Sequence, residues 1–270
     1  MTSDGDEARF GVLLTVGYDG ARFSGFARQP SLRTVAGELD GAVRAIDPRA
    51  SLVRGASRTD SGVHAIGQRV AFDSRLDVPP RGWALALAKH LADDLGVARA
   101  ARVAPNYDPR GHATRKTYRY VLLRSMVRDP LWQGRSWLIR DRLNHAKMAA
   151  EADALVGRHD FRAFRTSTDR RLETVRTIFR AELGPYAADD RAFAIEIVGD
   201  RFLHRMVRII AGTLVDVGRG RLEPGAIRRA IESGDRRALG TTAPPHGLYL
   251  DSIELDDEGT DNWPDHLSAR

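Results

Sequence analysis

The sequence has 270 residues, of which 42% are hydrophobic and 29% are charged, and its formal net charge is +6. This composition is typical of a globular protein that is long enough for two domains, and no apolar run approaches the roughly 18 residues that a membrane span needs. Cysteine is absent, which excludes disulfides, thiol nucleophiles and thiolate metal sites, and the eight His residues show no metal-binding spacing.

The first hundred residues alternate between predicted strands and helices. The acidic start M-T-S-D-G-D-E-A is unlike a signal peptide and favours a cytoplasmic protein. Thr is a residue type that commonly caps helix N-termini, so Thr34 is a candidate N-cap. The spacing of Trp83, Leu87 and Leu91 places them on one face of a helix. We expect strands at residues 10–18, 51–53, 69–73 and 97–103, and helices at residues 35–46 and from about 83 to 96. This alternation predicts an α/β or α+β sheet with helices packed on it.

A loop between two of these strands carries the first candidate for chemistry. In G-A-S-R-T-D-S-G-V-H-A-I-G-Q, at 55 to 68, Asp60 follows Arg58 by two residues inside a turn-forming run. A carboxylate near a fixed cation stays ionised, which suits a nucleophile and a salt-bridged structural residue equally well. From the loop alone, a turn former is the more common role of such an Asp.

Aromatic and arginine side chains alternate in two further loops. The first is A-R-F-S-G-F-A-R-Q-P, at 21 to 30, and the second is D-F-R-A-F-R, at 160 to 165. This pattern is typical of surfaces that stack on bases and hold phosphates. Phe side chains that are buried in the core explain it equally well.

The second half of the chain also alternates strands and helices after a linker-like segment at 104–112. Strands are predicted at 114–123, 174–183, 192–198 and 247–255, and helices at 144–156, 203–217 and 224–234. Arg208 lies in the apolar run M-V-R-I-I-A-G, so it needs an anionic partner, for which Asp60 is one candidate. His204, Arg205 and Arg208 are spaced to lie together on one helix. We place one α+β domain at 1–105, a second at 106–256, and a disordered tail at 257–270.

Two hydrolytic chemistries fit these residues poorly, whereas RNA binding fits them well. Asp60-Ser61-Gly62 matches the D-[ST]-G of aspartic proteases, but that chemistry needs two such carboxylates. A glycosidase needs a second catalytic carboxylate, which no recognisable motif supplies. Lys stands only at positions 89, 116 and 147, so 39 of the 42 basic residues are Arg, the side chain that forks onto phosphate. A GC-rich coding sequence explains the Arg bias too, but not the net positive charge; an RNA-binding module therefore stays open.

Five stretches, in chain order, resemble the tRNA pseudouridine synthase I family. They are V-G-Y-D-G-A-R-F-S-G-F-A-R-Q at 16 to 29, S-R-T-D-S-G-V-H-A at 57 to 65, K-T-Y-R-Y at 116 to 120, F-L-H-R-M-V-R-I-I-A-G-T-L at 202 to 214 and T-A-P-P-H-G-L-Y-L at 242 to 250. The resemblance extends from about residue 10 to residue 255. One such motif is weak evidence, whereas five in the same order are specific.

The resemblance implies a reaction and three residues that carry it out. Asp60 matches the family's nucleophilic aspartate, Tyr118 the tyrosine that stacks on the target base, and Arg208 the arginine that pairs with the aspartate. Family members isomerise uridines at positions 38, 39 and 40 of the tRNA anticodon stem-loop, act as homodimers, and use neither a metal nor an organic cofactor. The implied fold is α+β: two ferredoxin- or RRM-like domains whose antiparallel sheets join, with helices on one side and a basic cleft between the domains.

Other residues are expected to hold the RNA. Arg58, in the same motif as Asp60, would help to extrude the nucleotide and bind the backbone. We also expect RNA contacts from Arg22, Arg28, His64, Arg110, Arg165 and Arg205. Phe26 stands where the family usually has Trp and Ser61 where Ala is usual, and the segment after Arg110 lacks an expected aromatic residue. These departures bear on target choice more than on reaction type.

Overall fold

The computed structural model describes residues 9–166, 172–261 and 263. Contacts divide the chain into two compact units: residues Arg115–Asp251 form the second unit, and the residues before and after them form the first. The predicted domain boundaries, after residues 105 and 256, stay predictions. Of the predicted tail, residues 257–261 and 263 contact the first unit, and the remainder lies outside the described residues.

The first unit is an antiparallel sheet with two helices. Its strand order is β4-β1-β3, and the two-residue β2 pairs with β3. Its elements are β1 (Phe10–Tyr18), α1 (Val35–Ile46), β2 (Arg54–Gly55), β3 (His64–Ser74), α2 (Pro80–Leu87) and β4 (Leu95–Val103). One face of the sheet packs on the helices, as the edge-to-face contact of Phe72 with Trp83 shows, with ring centroids 5.0 Å apart.

Local sequence explains most of these elements, and a side chain explains one exception. The Thr34 hydroxyl accepts a hydrogen bond from the Gly37 amide (3.3 Å), so α1 begins where the cap predicts. The strand predicted at 51–53 is wrong: the pairing segment is β2, immediately after it. The Val53 amide donates to Asp40 Oδ1 (2.9 Å), so a carboxylate takes the place of a neighbouring strand there. The helix predicted to run to residue 96 ends at Leu87.

The second unit is also a mostly antiparallel sheet with helices. The order β5-β9-β8-β7 is antiparallel throughout, β6 pairs in parallel with β5, and β10 lies beside β5. Its elements are β5 (Ala113–Arg124), β6 (Trp137–Ile139), α3 (His145–Asp153), β7 (Gly157–Asp160), β8 (Val175–Pro185), β9 (Ala192–Gly199), α4 (Met206–Gly218), α5 (Ala226–Ser233) and β10 (Leu248–Leu255).

Helix α4 forms the centre of the second unit. All of its residues except Arg208 are buried, as expected of a helix that is apolar nearly all round. The prediction that it starts at residue 203 is wrong, because Arg205 has a left-handed φ of 61° and the helix begins at Met206. His204 and Arg205 therefore precede the helix and do not share a helical face with Arg208.

The prediction of an α+β fold is confirmed, because the described residues form mostly antiparallel sheet with five α-helices. That the two sheets join and that a basic cleft lies between two domains stay predictions. Among the described residues, none of the helices has the length and apolar character that crossing a membrane requires.

Candidate active site

The loop that carries Asp60 is held on both sides within the first unit. Asp60 is half-buried and lies between β2 and β3, two residues after the exposed Arg58. Thr59, its immediate neighbour, is buried and its hydroxyl bonds to the hydroxyl of Tyr18 on β1 (2.8 Å). The Asp60 carbonyl accepts a bond from the Val63 amide (3.2 Å), which closes a turn.

Gln68 fixes the chain just before Asp60. This side chain is fully buried on β3, donates from Nε2 to the Ser57 carbonyl (2.7 Å) and accepts at Oε1 from the Ser57 amide (3.2 Å). One amide group thus satisfies both backbone groups of Ser57, as a strand partner would. The start of the loop is therefore fixed by a side chain that the sequence motifs did not single out.

The aromatic loop at 21–30 packs directly on the Asp60 loop. The Phe26 amide donates to the Thr59 carbonyl (3.1 Å), and the Ser61 hydroxyl donates to the Phe23 carbonyl (3.2 Å). Gly25 has φ +96°, and a Cβ there would lie 2.9 Å from the Thr59 carbonyl oxygen, so this close approach requires glycine. Both Phe rings are buried, which favours the packing interpretation of this aromatic pattern over base stacking.

Ion pairs attach the same loop to the body of the first unit. Arg33 lies over the Phe23 ring, 4.2 Å from its centroid, and donates to both oxygens of Asp94 (2.7 and 2.9 Å). These hydrogen bonds from Arg33 hold the pKa of Asp94 below its ordinary value, against the opposing effect of burial. Arg22 pairs with the same carboxylate at 3.0 Å, and Arg28 forms a bidentate pair with Asp40 on α1.

The remaining RNA contacts predicted in the first unit differ in accessibility. His64 is buried at the start of β3, and its Nδ1 accepts from the Gly20 amide (3.1 Å). The Asp19 carboxylate approaches the same nitrogen at 3.2 Å. Arg110 is exposed. The RNA contacts proposed for His64, Arg110, Arg22 and Arg28 stay predictions.

In the second unit, the segment 242–247 positions Arg208. Arg208 is half-buried, its Nε donates to the Ala243 carbonyl (2.8 Å), and its own carbonyl accepts from the Ala243 amide (3.0 Å). The next carbonyl, that of Pro244, accepts from the Tyr120 hydroxyl (2.8 Å). Burial raises the pKa of Tyr120 well above its ordinary value, and the charge of Arg208 opposes that rise. Arg208 and Tyr120 thus hold adjacent carbonyls of one segment.

Tyr118 lies two residues before Tyr120 on β5, so both side chains are on the same face of that strand. Its ring is buried and meets Phe202 edge to face, with centroids 5.0 Å apart. Arg165 is half-buried and follows the buried Phe164, whereas Arg205 is exposed. Their RNA contacts stay predictions, as do the roles of Asp60 in the first unit and of Tyr118 and Arg208 in the second.

Comparisons with known proteins identify the family. A family model described as tRNA pseudouridine synthase matches residues 152–256. Proteins named tRNA pseudouridine synthase A are similar along nearly their whole length. The one from Pseudothermotoga lettingae is 39% identical over 243 residues, 90% of this chain and 98% of that protein. The protein from Bacillus licheniformis is 39% identical, and the match covers 88% of this chain and 96% of that protein. The protein from Bacillus subtilis is 37% identical, and the match covers 91% of this chain and 99% of that protein.

The chain belongs to the tRNA pseudouridine synthase family. The family resemblance read from the five sequence motifs is thereby confirmed. In this tRNA pseudouridine synthase, the two departures at 26 and 61 lie at the contact between the aromatic loop and the Asp60 loop. A Cβ on Gly55 would overlap the Phe26 ring, and the Ser61 hydroxyl adds the bond to the Phe23 carbonyl.

Among the described residues, no group of three or more His, Asp or Glu side chains is arranged to hold a metal ion. Three residues that position candidate residues of their own unit were not predicted from the sequence: Gln68 and Asp94 in the first unit, and Tyr120 in the second. Tyr120 ends the motif K-T-Y-R-Y, so motif membership was the available signal for it, whereas Gln68 lies on β3, three residues beyond the motif at 57 to 65. Asp94 carried no signal, because its partners Arg22 and Arg33 are distant in sequence.

Proposed function

We infer that this chain isomerises uridine to pseudouridine in tRNA, and we propose that it does so at position 38, 39 and/or 40 of the anticodon stem-loop. Asp60 is the covalent nucleophile, Tyr118 stacks on the target base, and Arg208 pairs with Asp60. The observation that carries the inference is the 39% identity to a named tRNA pseudouridine synthase A across 90% of the chain. The positions and the residue roles rest on the motifs at 57–65, 116–120 and 202–214.

The reaction needs one well-placed carboxylate. The N1–C1′ bond of uridine breaks and a C5–C1′ bond forms; C5 loses its proton to solvent and N1 gains one. No electrons are exchanged with a redox partner. A carboxylate that attacks either the ribose C1′ or the uracil C6 forms a covalent intermediate, and it is released unchanged when the new bond is complete.

The fixed geometry of the Asp60 loop supports a covalent role. A nucleophile must be held close to its attack position, because misplacement of about 1 Å costs roughly 100-fold in rate. The loop is fixed by Tyr18, Gln68 and the buried aromatic loop, while Asp60 itself is half-buried. This combination of a rigid backbone and a partly accessible carboxylate suits a group that must meet a substrate.

The anchoring of Arg208 supports its role as a charge partner. Its Nε is bonded to a backbone carbonyl, which restricts the orientation of the guanidinium group. Pairing with this cation would orient the Asp60 carboxylate. The Tyr118 ring, which meets Phe202 at a steep angle, would stack on an extruded base.

A uridine inside a stem must leave the stack, which costs a few kcal/mol, and Arg58 is the side chain proposed to hold it out. Arg58 is exposed on the same loop as Asp60. Arg22, Arg28, His64, Arg110, Arg165 and Arg205 are proposed to contact the RNA. We further propose that the enzyme works in the cytoplasm as a homodimer.

Tritium release from tRNA labelled at uracil C5 tests the function, because the C5 hydrogen leaves during isomerisation. We expect release with the wild-type protein and a loss of at least about 10³-fold with Asp60→Ala, the scale expected when a covalent nucleophile is removed. Binding of tRNA by Asp60→Ala should stay close to wild type. Asp93→Asn, which neutralises an exposed Asp of the same unit, is the matched control.

Each result separates one part of the proposal from another. Absence of release by the wild-type protein, with tRNA binding intact, would favour the RNA-binding module over the enzyme. Release by Asp60→Ala at the wild-type rate would leave the reaction in place and remove Asp60 as its nucleophile. Mapping of the product by primer extension after carbodiimide treatment identifies which of the three positions is modified.

A further inference from the structure

An acidic segment covers one face of the sheet in the first unit. Residues 256–261, D-D-E-G-T-D, follow β10, and the family-model match ends at residue 256, where this segment begins. The segment lies over the sheet face that is opposite to the helices. The Glu258 carboxylate pairs with Arg69 on β3, and the Asp261 carboxylate pairs with Arg99 on β4.

The two arginines belong to one row across the sheet. Arg69 is paired in register with Thr15 on β1, and Thr15 is paired with Arg99. Two strand spacings separate the arginines, which places their backbones about 10 Å apart on one face. The neighbouring row on that face is apolar, formed by Ala71, Leu13 and Ala101. Two guanidinium groups at this spacing on one sheet face can each contact a phosphate of an RNA backbone.

Arg69 is suited to hold an anion. Its side chain is only 13% exposed, Nη1 donates to the Thr15 hydroxyl (3.0 Å), and Nε has no hydrogen-bond partner among the described residues. Burial lowers the pKa of Arg69, and the charge of Glu258 opposes that effect. A buried cation of this kind needs a negative charge beside it, and in this structure Glu258 supplies that charge.

The acidic segment leaves room for a ligand and is only partly held in place. A cavity of about 410 Å³, a volume typical of ligand sites, lies between the sheet and the segment and is lined by Arg69, Arg99, Glu258 and Asp261. The Glu258 side chain is 51% exposed and that of Arg99 is 42% exposed, so water and salt screen these ion pairs. Backbone bonds between Thr260 and Arg102 (2.6 and 2.9 Å) and the Trp263 indole bond to the Ala100 carbonyl (3.0 Å) anchor its far end.

We propose that the Arg69–Arg99 row is a phosphate-binding surface for tRNA, and that Glu258 and Asp261 occupy it in place of phosphates until tRNA displaces them. Carboxylate and phosphate are both bound by the arginine fork, so one can replace the other. The identity of the polyanion rests on the proposed function. The segment is thus an internal competitor that weakens binding of any RNA too short or too weakly charged to reach this row.

Neutralising the competitor in the full-length chain tests this surface. The variant Glu258→Gln/Asp261→Asn should bind an unmodified tRNA transcript about threefold to tenfold more tightly than the control Asp93→Asn/Glu232→Gln, because two surface ion pairs no longer compete. Both control residues are exposed, and both variants gain the same charge. Equal dissociation constants for the two variants would overturn the proposal.

Removing the two arginines from the Glu258→Gln/Asp261→Asn variant tests whether they are the residues that bind phosphate. Adding Arg69→Gln and Arg99→Gln should abolish the gain in affinity and make the dependence of log K on log salt shallower by about 1.5, the contribution of two phosphates. An unchanged salt dependence would count against the row as a phosphate site.

A measurement on the unaltered protein covers the case in which the variants do not fold. Hydrogen exchange at the Thr260 amide, which donates to the Arg102 carbonyl, should become faster when tRNA is added, whereas exchange at Phe72 in the core should not change. Slower exchange at Thr260 with tRNA would show that the segment stays in place and would refute displacement. Tritium release is measured in parallel. If the protein binds tRNA without isomerising it, the proposed function is refuted, but the affinity and hydrogen-exchange measurements still test the phosphate-binding surface.

Discussion

At the scale of single residues, Arg208 combines a fixed orientation with a charge. Its Nε bond to the Ala243 carbonyl orients the guanidinium, and lysine cannot reproduce this bond while also presenting two parallel donors. We expect Arg208→Lys to keep the charge but lower the single-turnover rate of pseudouridine formation by roughly 10- to 100-fold, or about 1.4 to 2.7 kcal/mol. The measurement is tritium release in a single turnover, with the enzyme at a saturating concentration and in excess over the tRNA.

The control for Arg208→Lys is Arg228→Lys, an exposed arginine on α5 of the same unit. Its rate should stay within about twofold of wild type, because surface substitutions away from specific contacts have small effects. If Arg208→Lys were as active as this control, the orientation of the guanidinium would be irrelevant and Arg208 would act only through its charge.

The residues of the candidate site were predictable from the sequence to different degrees. Asp60, Tyr118 and Arg208 stand inside motifs, so the family resemblance is enough to single them out. Tyr120 ends the motif K-T-Y-R-Y and is buried, yet its hydroxyl also donates a hydrogen bond to the Pro244 carbonyl. That second role was not predictable, because the partner is more than a hundred residues away along the chain and no local pattern encodes the contact.

At the scale of structural elements, the Asp60 loop depends on the Gln68 side chain of β3. We expect Gln68→Ala to leave the Ser57 amide and carbonyl without their partner and to lower the free energy of unfolding by roughly 2 to 4 kcal/mol. The rate of isomerisation should fall by more than the loss of folded protein accounts for, because the start of the Asp60 loop is no longer held in place. Urea denaturation gives the first quantity, and tritium release at a temperature well below the melting transition gives the second.

Gln133→Ala is the matched control, since Gln133 is exposed in the second unit. It should change stability by less than about 0.5 kcal/mol and leave activity unaltered. Full activity in a destabilised Gln68→Ala protein would mean that the loop is fixed well enough by Tyr18 and the aromatic loop alone.

The aromatic loop should make the stability of the protein sensitive to acid through Asp94. The folded-state pKa of Asp94 is lowered, chiefly by hydrogen bonds from Arg33, so the folded protein takes up this proton less readily than the unfolded chain. The stabilisation is fully present above the ordinary pKa of 3.8 and is lost as the pH falls through the lower folded value. We therefore expect the free energy of unfolding to decrease below about pH 4.

The variant Asp94→Asn tests this assignment. At pH 7 it should lose roughly 1 to 3 kcal/mol of stability, the cost of removing a hydrogen-bonded charge from two arginines. Its stability should also decline less steeply in acid than that of the wild type. Asp93→Asn, at the exposed neighbouring position, should keep the wild-type profile. Parallel acid profiles for wild type and Asp94→Asn would assign the acid sensitivity to other carboxylates.

Helices and strands with strong local signals were predicted well, and short elements were not. The Thr34 cap places α1 correctly, the helical pattern from residue 144 predicts α3, and the alternation at 192–198 predicts β9. Strands β6 and β7, of three and four residues, were missed, because their sequences are too short to show a period. Their positions are set by pairing with β5 and β8, which is a tertiary effect.

At the scale of the whole molecule, the net charge of +6 and the dominance of arginine predict a strong dependence of tRNA binding on salt. Each phosphate neutralised on a single strand changes the slope of log K against log salt by about 0.7, and on a duplex by about 0.9. Arg58 is exposed on the Asp60 loop and is proposed to contact the RNA backbone at the extruded nucleotide. It should therefore contribute one such phosphate to the slope.

Arg58→Gln separates this charge effect from chemistry. We expect the slope to become shallower by about 0.7 to 0.9 and the dissociation constant to rise severalfold at physiological salt. The rate of tritium release at saturating tRNA should fall as well, because Arg58 is also proposed to hold the nucleotide out of the stem, whereas a purely electrostatic contact would leave that rate unchanged. An unaltered slope together with a reduced rate would remove the phosphate contact and leave extrusion as the only role of Arg58.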